Sequence, residues 1–330
     1  MERHGAAASF HRVCGGDRLA DRVEGRSRSE AFILTGFVAL LAVAAVFYYG
    51  SRQASMTVLL HHQRDRADAA NRLANELQEA FTQQPLPVVS NLGFSATYLP
   101  ATVETQIGGD WYDAFELPDG RIMFSIGDVA RHGVQAAVIM SKVRQAVIAA
   151  ALHHSDPGSI LTRANNALRF PENKFATAIC GHVDAATLHV SYATAGHPPG
   201  ILIAADGSAS VLKYAGAPLG VESDAAYQTF EFTAEPNSML VLYTDGLIEF
   251  SRDIIEGERL MLATAREIAL RRLTNPAGEI QDAIFAGREP LDDVAILTIS
   301  FRDKADIPKG VDGEQWSVAL RGVRSPLMKE

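Results

Sequence analysis

Cysteine is almost missing from this 330-residue chain, which has only Cys14 and Cys180. Two thiols this far apart form no disulfide framework and no cysteine-based zinc site, and both suit a reducing compartment. Cations are also in deficit, with 30 Lys and Arg against 39 Asp and Glu and a formal net charge of -9. Non-specific nucleic-acid binding needs clustered cations to displace counterions from phosphates. No nucleic acid is therefore expected as a partner. Long apolar runs are absent with one exception, and no internal repeat is visible.

The exception is Phe32 to Tyr49, FILTGFVALLAVAAVFYY, which carries no charge. Its length is at the lower end of what crosses a bilayer as a helix, and Tyr48 and Tyr49 sit where aromatic rings favour the interface. It is long for the apolar part of a signal peptide, and no small-residue cleavage site follows. A single transmembrane helix is expected over 31–50, after a polar, Arg-rich tail over 1–30. A linker helix is expected over 55–84, where Leu73, Leu77 and Phe81 form an apolar stripe that either docks locally or pairs with its copy in a homodimer. Pro85 and Pro87 end it. Arg12, Arg18, Arg22, Arg26 and Arg28 precede the apolar run, against Arg52, Arg64 and Arg66 after it, so charge alone favours an inner N-terminus.

The remainder mixes short strands with helices. Strands are expected at Phe94–Leu99, Trp111–Leu117, Arg121–Ile126, Ala176–Val183, Leu188–Ala193, Tyr227–Phe232, Met239–Tyr243 and Val294–Ser300. Helices are expected at Val134–His153, Ser159–Leu168, Glu258–Leu273 and Gly278–Ala286. Leu117-Pro118-Asp119-Gly120-Arg121 reads as a hairpin turn. Neighbouring strands joined by turns indicate antiparallel sheets with helices packed outside, an α+β layered sandwich. The domain is expected over 86–302, with a tail over 303–330.

Four places set Asp beside Gly or at the end of an apolar strand: Gly108-Gly109-Asp110-Trp111-Tyr112-Asp113, Gly127-Asp128-Val129, Thr244-Asp245-Gly246 and Asp292-Asp293. Carboxylates gathered from strand ends repel one another unless a cation neutralises them, and oxygen-only ligands suit hard ions such as Mg²⁺ or Mn²⁺. Each Asp taken alone reads more readily as a turn former or helix cap than as a ligand, and it is the four together that point to a cation.

The order of these segments resembles the SpoIIE/RsbU-type branch of the metal-dependent (PPM, type-2C-like) serine/threonine phosphatases. The similarity rests on LANELQEAFTQQPLP, IGGDWYDAF, SIGDVARHGVQAAVIMSKVR, YATAGHPPGILI, AGAPLGV, VLYTDGLIE and DDVAIL, in that order. It implies an α-β-β-α sandwich of two mainly antiparallel sheets flanked by helices. It also implies a centre for two divalent ions, Mn²⁺ or Mg²⁺, held by Asp110, Asp128, the Val129 carbonyl, Asp245 and one of the paired acids, Asp292 in preference to Asp293. Gly109 and Gly127 would be small so that metal and phosphate can approach the backbone.

The implied reaction is hydrolysis of phosphoserine or phosphothreonine without a phosphoenzyme intermediate. The implied substrate is a phosphorylated STAS-domain anti-anti-sigma protein in a bacterial partner-switching pathway. That substrate is cytoplasmic and so favours a catalytic domain facing the cytoplasm, against the arginine count. The family commonly reads GDVSGHG where this chain has Gly127-Asp128-Val129-Ala130-Arg131-His132-Gly133, so Arg131 replaces a glycine and either presents a cation to phosphate or is solvated. His132 and His197 are expected as hydrogen-bond formers more than as acid–base groups. A membrane-tethered pseudophosphatase that only binds a partner, and a phosphatase for small phosphoesters, are the alternatives.

Overall fold

The structure, a computed structural model, describes residues 34–53, 56, 85–101, 108–130, 133–168, 174–251 and 253–303. The expected N-terminal tail, nearly all of the expected linker helix with Leu73, Leu77 and Phe81, the pair Arg131 and His132, and residues 304–330 lie outside the described residues. The chain divides into two units, Met1–Ala67 and Asp68–Glu330. In the first, helix α1 spans Leu34–Gln53, with 20 residues and a mean hydropathy of 1.8. At about 1.5 Å per residue it is long and apolar enough to cross a bilayer.

The second unit is built on two five-stranded sheets, antiparallel throughout. One has the order β1-β10-β9-β6-β7, with β1 at Leu92–Leu99, β6 at Ile201–Ile203, β7 at Ala209–Val211, β9 at Met239–Tyr243 and β10 at Val294–Phe301. The other has the order β2-β3-β4-β5-β8, with β2 at Trp111–Glu116, β3 at Ile122–Val129, β4 at Ala176–Asp184, β5 at His189–Ala195 and β8 at Thr229–Thr233. Among the described residues five helices accompany the sheets: α2 at Val134–Ala151, α3 at Pro157–Ala167, α4 at Gly246–Glu249, α5 at Ile254–Arg271 and α6 at Pro276–Phe285.

Side-chain alternation along the strands makes three apolar layers. In β3, Ile122, Phe124 and Ile126 enter the core between the sheets, where Ala295, Leu297, Ile299 and Phe301 of β10 meet them. The alternate residues Met123 and Val129 join a second core with Met140, Val143 and Val147 of α2. Ala176, Ala178, Ala193 and Ala195 line that face, and their small size lets α2 and α3 lie close to the sheet. Val294 and Ile296 turn the other way, into a third core with Met261 and Ala265 of α5 and Ile280 and Ile284 of α6. The result is the expected α-β-β-α sandwich.

Helix ends follow local chemistry. Asp156 caps α3 by accepting from Ser159 N–H at 2.8 Å, and Asp253 caps α5 by accepting from Ile255 and Glu256 N–H, so both helices begin earlier than their apolar pattern suggests. The expected hairpin turn is present, with Leu117 N–H donating to Arg121 O at 2.8 Å and Gly120 at φ 85°.

Asp113 departs from the carboxylate pattern. It lies in β2, buried, and takes a forked ion pair from Arg144 of α2, whose Nε reaches Oδ2 at 2.7 Å and whose Nη2 reaches Oδ1 at 2.5 Å. Burial raises the Asp113 carboxyl above its ordinary value, while Arg144 pulls it back. Arg144→Met would strand a buried carboxylate. We expect it to cost about 3–5 kcal/mol in urea unfolding followed by tryptophan fluorescence. Arg259→Met, which breaks an exposed pair with Glu256, should leave the midpoint unchanged.

Candidate metal centre

Two strand pairs, one from each sheet, finish at the same end of the sandwich. Trp111 of β2 lies opposite Gly127 of β3, so Asp110 and Asp128 leave the open end of that hairpin together. Tyr243 of β9 lies opposite Ile296 of β10, and Thr244 N–H continues the ladder by donating to Ala295 O at 3.1 Å. Asp245 follows directly, and Asp292 and Asp293 directly precede β10. The acids singled out from the sequence as candidate ligands therefore gather here from two sheets, whereas Asp113 faces away into its pair with Arg144.

Their electrostatics show how closely they face one another. The Asp110 carboxyl lies well above the ordinary carboxylate range, first through burial, then through the neighbouring Asp128 charge, with Asp293 adding to the effect and a hydrogen bond to Thr244 opposing it. Burial is also the main cause that pushes Asp128 up to about 7, and the charges of Asp245, Asp292 and Asp293 add to it. Asp245 is raised by burial and then by Asp292. Acids held this way keep a proton or take a cation.

The residues fit a hard divalent ion in donor chemistry. Asp110 Oδ2 is buried and has no hydrogen-bond partner among the described residues, and every candidate donor is an oxygen. At Gly109 a Cβ would fall 2.6 Å from the Val129 carbonyl and 2.9 Å from Asp128 Oδ1, so only glycine leaves those two oxygens where they are. At Gly108 a Cβ would run into the Asp293 carboxylate. Gly127 has a different purpose from the one expected: a Cβ there would strike the Trp111 ring, so its smallness serves packing and not approach to phosphate. Asp293 is buried and accepts from Ala101 N–H at 2.9 Å, whereas Asp292 is exposed and accepts from Asp293 N–H at 2.8 Å. Among the described residues no three acids close around one point as a finished coordination shell.

Three further residues belong to this end of the molecule. Thr244 accepts from Ala295 N–H at 2.8 Å and contacts Asp110. Glu249 of α4 is raised by partial burial and by Asp245 and Asp292. His197 is fully buried, and burial drives its ring down to about 3, so it is neutral. Its Nε2–H donates to Tyr243 O at 3.1 Å, which leaves Nδ1 to accept from the Thr177 hydroxyl at 2.8 Å. That is a structural hydrogen-bonding role, as expected. The positions of Thr244 and His197 inside YTDG and AGHPP were the signal for them. A groove of about 600 Å³ lined by Arg121, His182, His189 and Glu231 lies at the other end of β3 and contains none of the candidate ligand acids. Concavity alone does not mark this centre.

A carboxyl raised in the folded state stabilises the fold below its unfolded value and loses that contribution as pH rises through its folded value. For Asp128 the window runs from 3.8 to about 7. In chelating buffer the melting temperature should therefore fall between about pH 4 and pH 7, and Asp128→Asn should flatten the slope. Calorimetric melts across that range check it.

Comparison with known proteins agrees with this architecture. The model of the family described as Stage II sporulation protein E (SpoIIE) matches residues 118–302, more than half of the chain, which includes Asp128, Asp245, Asp292 and Asp293. The phosphoserine phosphatase RsbU of Bacillus subtilis is 27% identical over 180 residues, covering 54% of this chain and 52% of RsbU. The chain spans about half, or less, of the length of the curated relatives it matches. The RsbU and RsbW domains of Rv1364c from Mycobacterium tuberculosis superpose with a TM-score of 0.58 at 31% identity, over 66% of this chain and 62% of that one. The SiaA-PP2C domain of Pseudomonas aeruginosa shares the fold, with a TM-score of 0.61 at 22% identity, over 73% of this chain and 98% of that domain. With the sandwich, the strand-end acids and the family match in agreement, this chain belongs to the SpoIIE family.

Proposed function

We propose that this chain is a metal-dependent serine/threonine protein phosphatase whose centre holds two divalent ions, Mn²⁺ or Mg²⁺. The observation that carries the reading is the meeting of Asp110 and Asp128 from one sheet with Asp245, Asp292 and Asp293 from the other, whose charges raise the proton affinity of the first two. Asp110, Asp128, Asp245 and Asp292 would hold the ions together with the Val129 carbonyl. Asp293, with one oxygen already engaged by a backbone N–H, would orient Asp292 or add a ligand. Bound ions supply a nucleophilic water at neutral pH and screen charge on the transferring phosphoryl group. Thr244 orients Asp110, and Gly109 keeps space beside Val129 O. Arg131 and His132, adjoining Asp128 in sequence, are the residues we assign to substrate phosphate.

The substrate proposed is a phosphoserine or phosphothreonine on a STAS-domain anti-anti-sigma protein. RsbU, the relative named a phosphoserine phosphatase, and the RsbU–RsbW domain pair of Rv1364c support partner-switching as the setting. We further propose that α1 anchors the chain in the cell membrane by a single pass, with the catalytic domain in the cytoplasm beside that substrate and the linker helix available for a homodimer.

Phosphate release from phosphorylated STAS proteins by the purified full chain tests the activity. Mn²⁺ should support turnover, chelation should abolish it reversibly, and Asp128→Asn or Asp245→Asn should lower kcat/KM by more than the roughly 10–100-fold that changes outside a metal's direct ligands cost. Full activity in excess chelator would overturn the mechanism. Hydrolysis of p-nitrophenyl phosphate alone would overturn the protein substrate and leave the centre intact.

A further inference from the structure

We infer that His197 is a positioning residue, which with Thr177 sets the separation between the two groups of acids. The inference rests on the reading of those acids as a cation site. His197 lies in the crossover that takes the chain from β5 in one sheet to β6 in the other. Gly196 turns that crossover at φ 65°, and Pro198 and Pro199 follow the histidine and hold its backbone.

The ring is buried between the sheets and makes one hydrogen bond to each. On one side Thr177 donates to Nδ1 at 2.8 Å, and Thr177 stands directly opposite Asp128 in the β3–β4 ladder. On the other side Nε2–H donates to the carbonyl of Tyr243 at 3.1 Å, and Tyr243 is two residues before Asp245. An imidazole is rigid, so both bonds survive at only one separation of the strands that carry Asp128 and Asp245. Neither of these hydrogen bonds goes to an acid. The ring's effect is on the distance between the two acids, which a metal shared by both sheets senses to a fraction of an ångström.

The bridge differs from simple packing in what it predicts. Thr177→Val keeps the shape of the side chain and removes the donor to Nδ1. Thr177→Ser keeps that donor. His197→Asn retains an amide near the Nδ1 position and gives up the reach to Tyr243 O. Mn²⁺ binding to the full chain in mild detergent is read directly from loss of the free-ion electron paramagnetic resonance signal, alongside a thermal melt.

We expect Thr177→Val and His197→Asn each to weaken Mn²⁺ binding about tenfold, the low end for groups that position metal ligands from outside. Thr177→Ser should bind as the wild type does. The double variant should bind no more weakly than the worse single one, because both break the same bridge. Unchanged Mn²⁺ affinity in Thr177→Val and His197→Asn, whether or not the melting temperature falls, would show that the histidine only packs and would overturn the inference. Equal weakening by Thr177→Ser and Thr177→Val would overturn it as well. A wild-type chain that leaves the free-ion signal untouched would instead overturn the reading of the acids as a cation site, a separate failure.

Discussion

The core between the two sheets sets the distance between two groups of carboxyls that lie on different sheets. Phe124 and Ile126 on one inner face, with Leu297 and Ile299 on the other, hold the sheets together, and their strands carry Asp128 and Asp293 at one end. Like charges at that spacing repel in a poorly solvated place, and burial first, with that repulsion added, raises the proton affinities of Asp110, Asp128 and Asp245. Apolar packing thus holds in place an electrostatic arrangement that would otherwise spread apart. A proton relieves the repulsion at one site, whereas a divalent ion relieves it at several.

Around this centre the polar groups divide their work. Arg144 neutralises Asp113 in the layer beneath α2, so one acid of the GGDWYD segment stabilises the β2–α2 contact while Asp110, three residues earlier, faces the centre. Thr244 joins the end of β9 to β10 and touches Asp110. His197 joins the two sheets below the acids. None of these groups needs to meet a substrate to affect what the acids can bind.

Much of this was legible in the sequence because the signals are local. Strands such as Val294–Phe301 alternate between two cores, and α2 shows its buried face in Ala136, Met140, Val143 and Val147. What was missed had too little pattern. β6 and β7 have three residues each, β7 is exposed along its whole length, and α4 is a single turn. The four Asp-bearing segments were visible, yet the direction of each side chain was not. Asp110 and Asp113 differ by an odd number of positions at a strand start, and only the placement of Arg144 decides which one is an ion-pair partner. Gly127 was read as room for phosphate because the Trp111 ring that crosses it comes from a neighbouring strand, a long-range contact that no spacing reveals.

The acids stand at the ends of strands whose inner residues form the core between the sheets. The frame that fixes their positions and the residues that carry the charge are therefore different parts of the same strands. Exchange of a strand-end residue leaves the apolar contacts of the two inner faces untouched, so the ends can vary while the frame keeps its spacing. A scaffold divided in this way separates the residues that hold the sheets in register from those that set the local charge.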